Sequence, residues 1–114
     1  MCMKILVDEL EKINKELEAK GGLKNDGSLH FAISHAARTK DWTKQLAYLL
    51  RALLVDHVFN DGNKRTAAYL IFKYFKENEI AIDKDKINRL IITIASKNVI
   101  KIEAIRRLIK DETI

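Results

Sequence analysis

A chain with no proline and only four glycines, at 21, 22, 27 and 62, has few places where a helix is obliged to stop. Proline would remove a backbone donor and glycine would admit positive φ. Elsewhere the helical period runs uninterrupted. From roughly 3 to 19, Leu6, Leu10, Ile13 and Leu17 recur at spacings of four, three and four, which predicts an amphipathic helix. GGLKNDG, residues 21–27, then forces a turn or a small hairpin, because Gly-Gly and Asp-Gly favour positive φ. A short helix from Ser28, its N-cap, to Ala37 follows. Asp41 caps the next, which reads to Asp56 on a stripe of Leu46, Leu49, Leu50, Leu53 and Leu54. After Gly62 a helix runs to about Asn78 with Ala67, Leu70, Ile71, Tyr74 and Phe75 on one face. Two more carry Ile87, Leu90, Ile91 and Ile94, then Ile102, Ile105 and Ile109. Nothing alternates with strand period for long, and there is no internal repeat. The expectation is an all-α compact bundle of about six helices, one domain over residues 1–114, with a short flap or hairpin near residues 21–28.

Composition narrows the class. At 114 residues, with 47% hydrophobic and 32% charged, the chain suits one apolar core rather than two, and a globule rather than disorder. No apolar run reaches the length of a membrane span, so no membrane partner is expected. MCMKILVDEL brings acids in early and lacks a small-residue cleavage site, unlike a secretory signal. Cys2 is the lone cysteine, which rules out a disulfide framework and suits a cytoplasmic protein. The net charge of +5 is spread along the chain, and no aromatics alternate with the cations as a single-strand platform would need. Nucleic acid is therefore not the expected partner, and the charge reads as a solvated surface with a lysine excess.

One stretch departs from this pattern. HVFNDGNKRT, His57 through Thr66, crowds a histidine, an acid, a glycine, an amide and two cations into the junction between two core helices. Seven residues beyond Leu50, His57 falls on the core-facing line and is expected to point inward. A helix N-terminus presents unpaired N–H groups and the positive end of a dipole, a ready site for phosphate. Gly62 lets backbone amides approach an anion, and Asn63 supplies an amide donor or a cap. Lys64 and Arg65 place two cations in the first turn, unfavourable against the dipole unless an anion sits there. Asp61 is the only carboxylate in the loop, and one carboxylate beside phosphate oxygens is what magnesium commonly takes. His57 as a neutral imidazole can take a proton from an attacking hydroxyl. Phe59 is expected to be the buried anchor of the loop. Singly, a histidine on an apolar stripe is a core residue and Asp-Gly is a turn. Gathered in one loop, they make the parts for nucleotide-dependent phosphoryl or nucleotidyl transfer. The G-x-x-x-x-G-K-[ST] phosphate loop is absent.

The stretch resembles the Fic/Doc family signature, H-x-F-x-[DE]-[GA]-N-[GK]-R, without a mismatch from His57 to Arg65. GSLHFAISHA, the long helix into the motif and RTAAYLIF leaving it are also similar to the family's small helical core. The resemblance implies an ATP-dependent transferase acting on a Ser, Thr or Tyr hydroxyl of a target protein, with Mg2+. It makes His57 the base, Asp61 the magnesium ligand, Gly62 and Asn63 the anion hole, and Arg65 a phosphate ligand, with GGLKNDGS the place of the target-aligning flap. The adenylyl-transferring Fic branch usually has glycine where Lys64 stands and a second arginine where this chain has Ala68. Lys64 followed by Thr66-Ala67 resembles the Doc branch, toxins that move the γ-phosphate of ATP to a translation elongation factor. AMP transfer is the alternative. An inhibitory [ST]-x-x-x-E-[GN] helix motif has no match here, which points to an antitoxin partner for control. A reading of another class is a non-catalytic basic binding module, and a third is an interaction subunit using Val99, Ile100, Ile102 and Ile105. His30 and His35 lack a third ligand and read as packing or surface residues, and Trp42 reads as a lid on the core.

Overall fold

The computed structural model describes residues 3–16 and 22–113, with side chains over 8–15 and 22–113. Six helices occur among them: α1 Met3–Glu16, α2 Asp26–Ala37, α3 Trp42–Leu54, α4 Asn63–Glu77, α5 Lys84–Ser96 and α6 Ile102–Asp111. The architecture is the all-α bundle that the breakers and apolar stripes imply. Residues 17–19 of the expected first helix and Cys2 lie outside the described residues, as do the side chains of Leu6 and Leu17.

α3 is the central element, with α2, α4 and α6 packed around it. Its expected leucine stripe is buried throughout, and Thr43, Ala47 and Ala52 join it, so little of the helix reaches water. Small residues on the remaining faces let neighbours approach closely. Phe75, Leu70 and Ile71 from α4, Ile105 and Ile109 from α6 and Ile33 from α2 complete one contiguous core. Trp42 is half-buried, stacked on Tyr74 with ring centres 6.4 Å apart and edge-on to Phe75 at 6.0 Å. That is the lid position expected of it.

The caps explain the helix starts. Asp41 accepts from Thr43 N–H at 3.0 Å and Asp83 from Asp85 N–H at 2.9 Å. The second helix starts earlier than Ser28: Asn25 is its N-cap, and its side chain accepts from Ser28 N–H at 3.2 Å. Asp and Asn outrank Ser only slightly as caps, so composition alone did not separate the two starts. Residues 22–25 are the excursion from the bundle. They do not fold back on themselves among the described residues; instead Leu23 forms an isolated antiparallel bridge with Phe59. No described helix is long and apolar enough to cross a membrane.

Candidate functional site

Residues 55–62 join α3 to α4 and are tied down from three sides. From the first side, the 22–25 segment holds the loop: Lys24 and Asn25 N–H donate to Val58 O at 2.6 and 3.0 Å. Asn60 donates to Gly22 O through its backbone and its side chain, both at 3.1 Å. From below, Val58 and Phe59 are buried in the core, Phe59 at 2% exposure. From α4, the Asn63 side chain grips Phe59: its Oδ1 accepts from Phe59 N–H at 3.1 Å and its Nδ2 donates to Phe59 O at 2.9 Å. Asn63 therefore neither caps the helix nor offers its side-chain amide to a ligand. It closes the loop.

His57 does not point into the core. It is exposed, at φ 51°. The helix ends at Leu54, so the 3.6-residue period that aligned His57 with Leu50 has lapsed before the histidine is reached. Val58 N–H turns back to Ala52 O at 3.2 Å while His57 takes the left-handed conformation, which swings its side chain out of the apolar line. A non-glycine residue held there is strained, and such strain concentrates at functional sites.

The loop and the start of α4 enclose a cavity of about 300 Å³. His57, Asn60, Asp61, Gly62, Asn63, Lys64 and Arg65 form its polar wall, and Leu53, Leu54 and Ala95 its apolar one. Residues adjacent in sequence thus converge on one space. Gly62 is the N-cap of α4 at φ 77°, where a side chain would be strained, and no side chain caps the helix there. The first-turn amides of α4 accordingly have no partner within their own helix. Lys64 and Arg65 add two cations beside them, and Arg65 Nη2 lies 3.4 Å from Asp61 Oδ2. Both partners of that pair are about half exposed, so it is readily exchanged for other ligands. Among the described residues no cluster of three or more His, Cys, Asp or Glu could chelate an ion. A lone carboxylate beside an anion site does fit magnesium, which binds through one or two carboxylates when phosphate oxygens and water complete its shell.

Asn14 of α1 is the member of this constellation that sequence reasoning missed. It is 1% exposed, and its Nδ2 donates to Asp61 O at 2.9 Å and to Thr66 Oγ1 at 3.2 Å. Thr66, fully buried, donates in turn to Gly62 O at 2.8 Å. The only signal for Asn14 was a polar residue beside Ile13 on an apolar stripe, which a helix tolerates at a stripe's edge.

The other candidates fall elsewhere. His30 sits 3.1 Å from Asp26, one turn back on the surface of α2, and His35 stacks on Tyr48 with centres 5.2 Å apart. Ala68 lies with Tyr69, Phe72 and Ile87 on a groove between α4 and α5 that shares Arg65 with the cavity. Of the four C-terminal apolar residues, Ile105 is buried, Val99 and Ile102 pack partly against the core, and Ile100 is 61% exposed. Residues 4–75 match the model of the Fic/DOC family. No curated protein matches the chain.

Proposed function

The chain belongs to the Fic/DOC family, and from that premise we propose that it is a Doc-like transferase, moving the γ-phosphate of ATP to a Ser or Thr hydroxyl of a target protein. Members of the family are typically enzymes that transfer nucleotide moieties to proteins. The observation that carries the proposal is the convergence of His57, Asp61, Gly62, Asn63, Lys64 and Arg65 on one cavity. That set holds a proton acceptor, a carboxylate, backbone donors and two cations, which is what transfer to a hydroxyl requires.

In this reading the polyphosphate lies against the first turn of α4, where the Gly62 and Asn63 amides and the dipole favour negative charge. Lys64 and Arg65 neutralise it from the rim. Asp61 would hold Mg2+, which supplies charge neutralisation on the phosphate oxygens when bound. His57 accepts the proton of the target hydroxyl as its oxygen bonds to the γ-phosphorus. The bond from that phosphorus to the bridging oxygen breaks, and ADP leaves. The exposure of His57 suits a base whose partner arrives on another protein. The pairing of 22–25 with the loop puts an extended segment beside it for a target to meet.

Two features favour phosphate over AMP. Lys64 occupies wall space that glycine would leave to a phosphate. Ala68, three residues beyond Arg65, brings no second guanidinium to the phosphates. An elongation factor as target and an antitoxin as restraint belong to the same reading. The test follows the label: protein, Mg2+ and a lysate receive ATP labelled at the γ- or the α-phosphate, with His57→Ala alongside. A protein band labelled from γ only and lost in the variant is the expected result. Label from α would assign AMP transfer, and no His57-dependent label would remove the enzyme reading for the lysate's proteins.

A further inference from the structure

We propose that Asn14 is a positioning residue that aims the anion-binding amides of the motif loop from behind, a role that rests on the transfer reading above. The peptide plane is rigid. In a trans peptide the C=O and the following N–H lie in one plane and point in opposite directions. The Asp61 carbonyl shares its plane with Gly62 N–H, and the Gly62 carbonyl shares its plane with Asn63 N–H. Asn14 draws the Asp61 carbonyl into the interior directly, while the Gly62 carbonyl is held by the first helical bond of α4, from Thr66 N–H at 2.9 Å, and again by the Thr66 hydroxyl that Asn14 engages. Asn14 Nδ2 holds Asp61 O at 2.9 Å and Thr66 Oγ1 at 3.2 Å, and Thr66 Oγ1 holds Gly62 O at 2.8 Å. Anchoring two carbonyls inward turns the two amides outward. Gly62 and Asn63 are on the cavity wall, so outward is toward the cavity.

The residue type fits this task and little else. An amide nitrogen has two hydrogens, enough to serve both acceptors at once. Neither leucine nor serine could. Asn14 lies beside Leu10 and Ile13 in the buried side of α1, where an apolar side chain would avoid the cost of burying an amide. Its Nδ2 partners lie 47 and 52 positions away, at the motif and not on α1. Gly62 gives the tether its use: at φ 77°, without a Cβ, the Asp61–Gly62 peptide before it has unusual freedom to rotate, whereas the peptide after it is fixed by Thr66 N–H on Gly62 O.

The test uses the full chain. Asn14→Leu keeps the volume and removes both donors, and Thr66→Val keeps the shape and cuts the relay to Gly62. In ¹⁵N spectra of ligand-free protein, the Gly62 and Asn63 amide signals should shift or broaden in both variants while those of α6 stay in place. MgATP affinity by calorimetry, and kcat for transfer, should each fall about tenfold, less than the loss of an oxyanion donor outright. The double variant should lose less than the sum of the two, because both cut one relay. A lowered Tm with unmoved Gly62 and Asn63 signals and unchanged MgATP affinity would make Asn14 merely structural and overturn the proposal. Should Asn14→Leu fail to fold, Asn14→Ala, which also removes both donors, carries the same readouts. Wild-type protein that binds no MgATP would sink the transfer reading instead, and the ligand-free spectra still decide the positioning.

Discussion

The Asn63 side chain accepts from and donates to the same residue, so Asn63→Ala opens two bonds to Phe59 at once. At about 1 kcal/mol for each bond, the variant should unfold in urea with roughly 2 kcal/mol less stability. Phe59→Ala empties a site that is 2% exposed and should lower stability by about 3–5 kcal/mol. The two losses should not add, since both release the same loop. His57 makes the opposite case. Its left-handed backbone stores roughly 1–2 kcal/mol of strain, against an entropy loss of about 0.5–1 kcal/mol on replacement by glycine. His57→Gly should therefore fold at least as stably as the wild type while losing all transfer. A clear fall in its unfolding midpoint would count against strain at this residue.

Between elements, a polar cluster adds to the apolar packing of α6 on α3. Arg106 donates to Asp41 at the start of α3 through Nη2 and to Thr43 Oγ1 at 3.1 Å, and also to Glu103 at 2.9 Å. The Thr43 hydroxyl and N–H, with Arg106 helping, hold the Asp41 carboxyl below its ordinary 3.8 despite some opposing desolvation. A depressed carboxylate contributes stability above the unfolded value, and that contribution fades as acid protonates it in the fold. Asp41→Asn should thus flatten the loss of stability expected of the wild type below about pH 4. Across α3 and α4, burial beside Trp42 pushes Tyr74 up to about 12, with the Glu77 and Glu9 charges adding to it. Its neutral form is favoured in the fold, so stability should drain away as pH rises from about 10 toward 12. An ultraviolet titration of the tyrosines should show one late step that Tyr74→Phe removes. These ties also mark what the sequence could reveal about the elements. Every described helix was legible, because proline is absent and the apolar residues keep the helical period within each. The end of α3 was not: Leu50 to His57 is a good period, and only the turn after Leu54 breaks it. Nor were the bridge from Leu23 to Phe59 and the reach of Asn14 to Asp61, which join positions tens of residues apart and leave no local trace. The residue types of the motif were readable, but the role of Asn63 as a clasp depended on where Phe59's backbone fell.

At the scale of the molecule, the motif loop is the place where most of the structure meets. α3 delivers it, α4 receives it, α1 holds it through Asn14, and residues 22–25 pair with it. The match to the family spans α1 and nearly all of α4, so it takes in all of these contacts. α5 and α6 lie beyond it; α6 packs against α3, and α5 lends Ala95 to the cavity. Such a scaffold makes the loop rigid at its base and leaves His57 and the cations at its mouth, the arrangement a group-transfer site needs. Phosphorus NMR of the small-molecule product tests that claim most directly. With ATP, Mg2+ and a target-containing lysate, ADP should form in step with target modification in the wild type and not in His57→Ala. Pyrophosphate in place of ADP would contradict the phosphoryl assignment while keeping the site, and ATP consumed equally by wild type and His57→Ala would contradict the site itself.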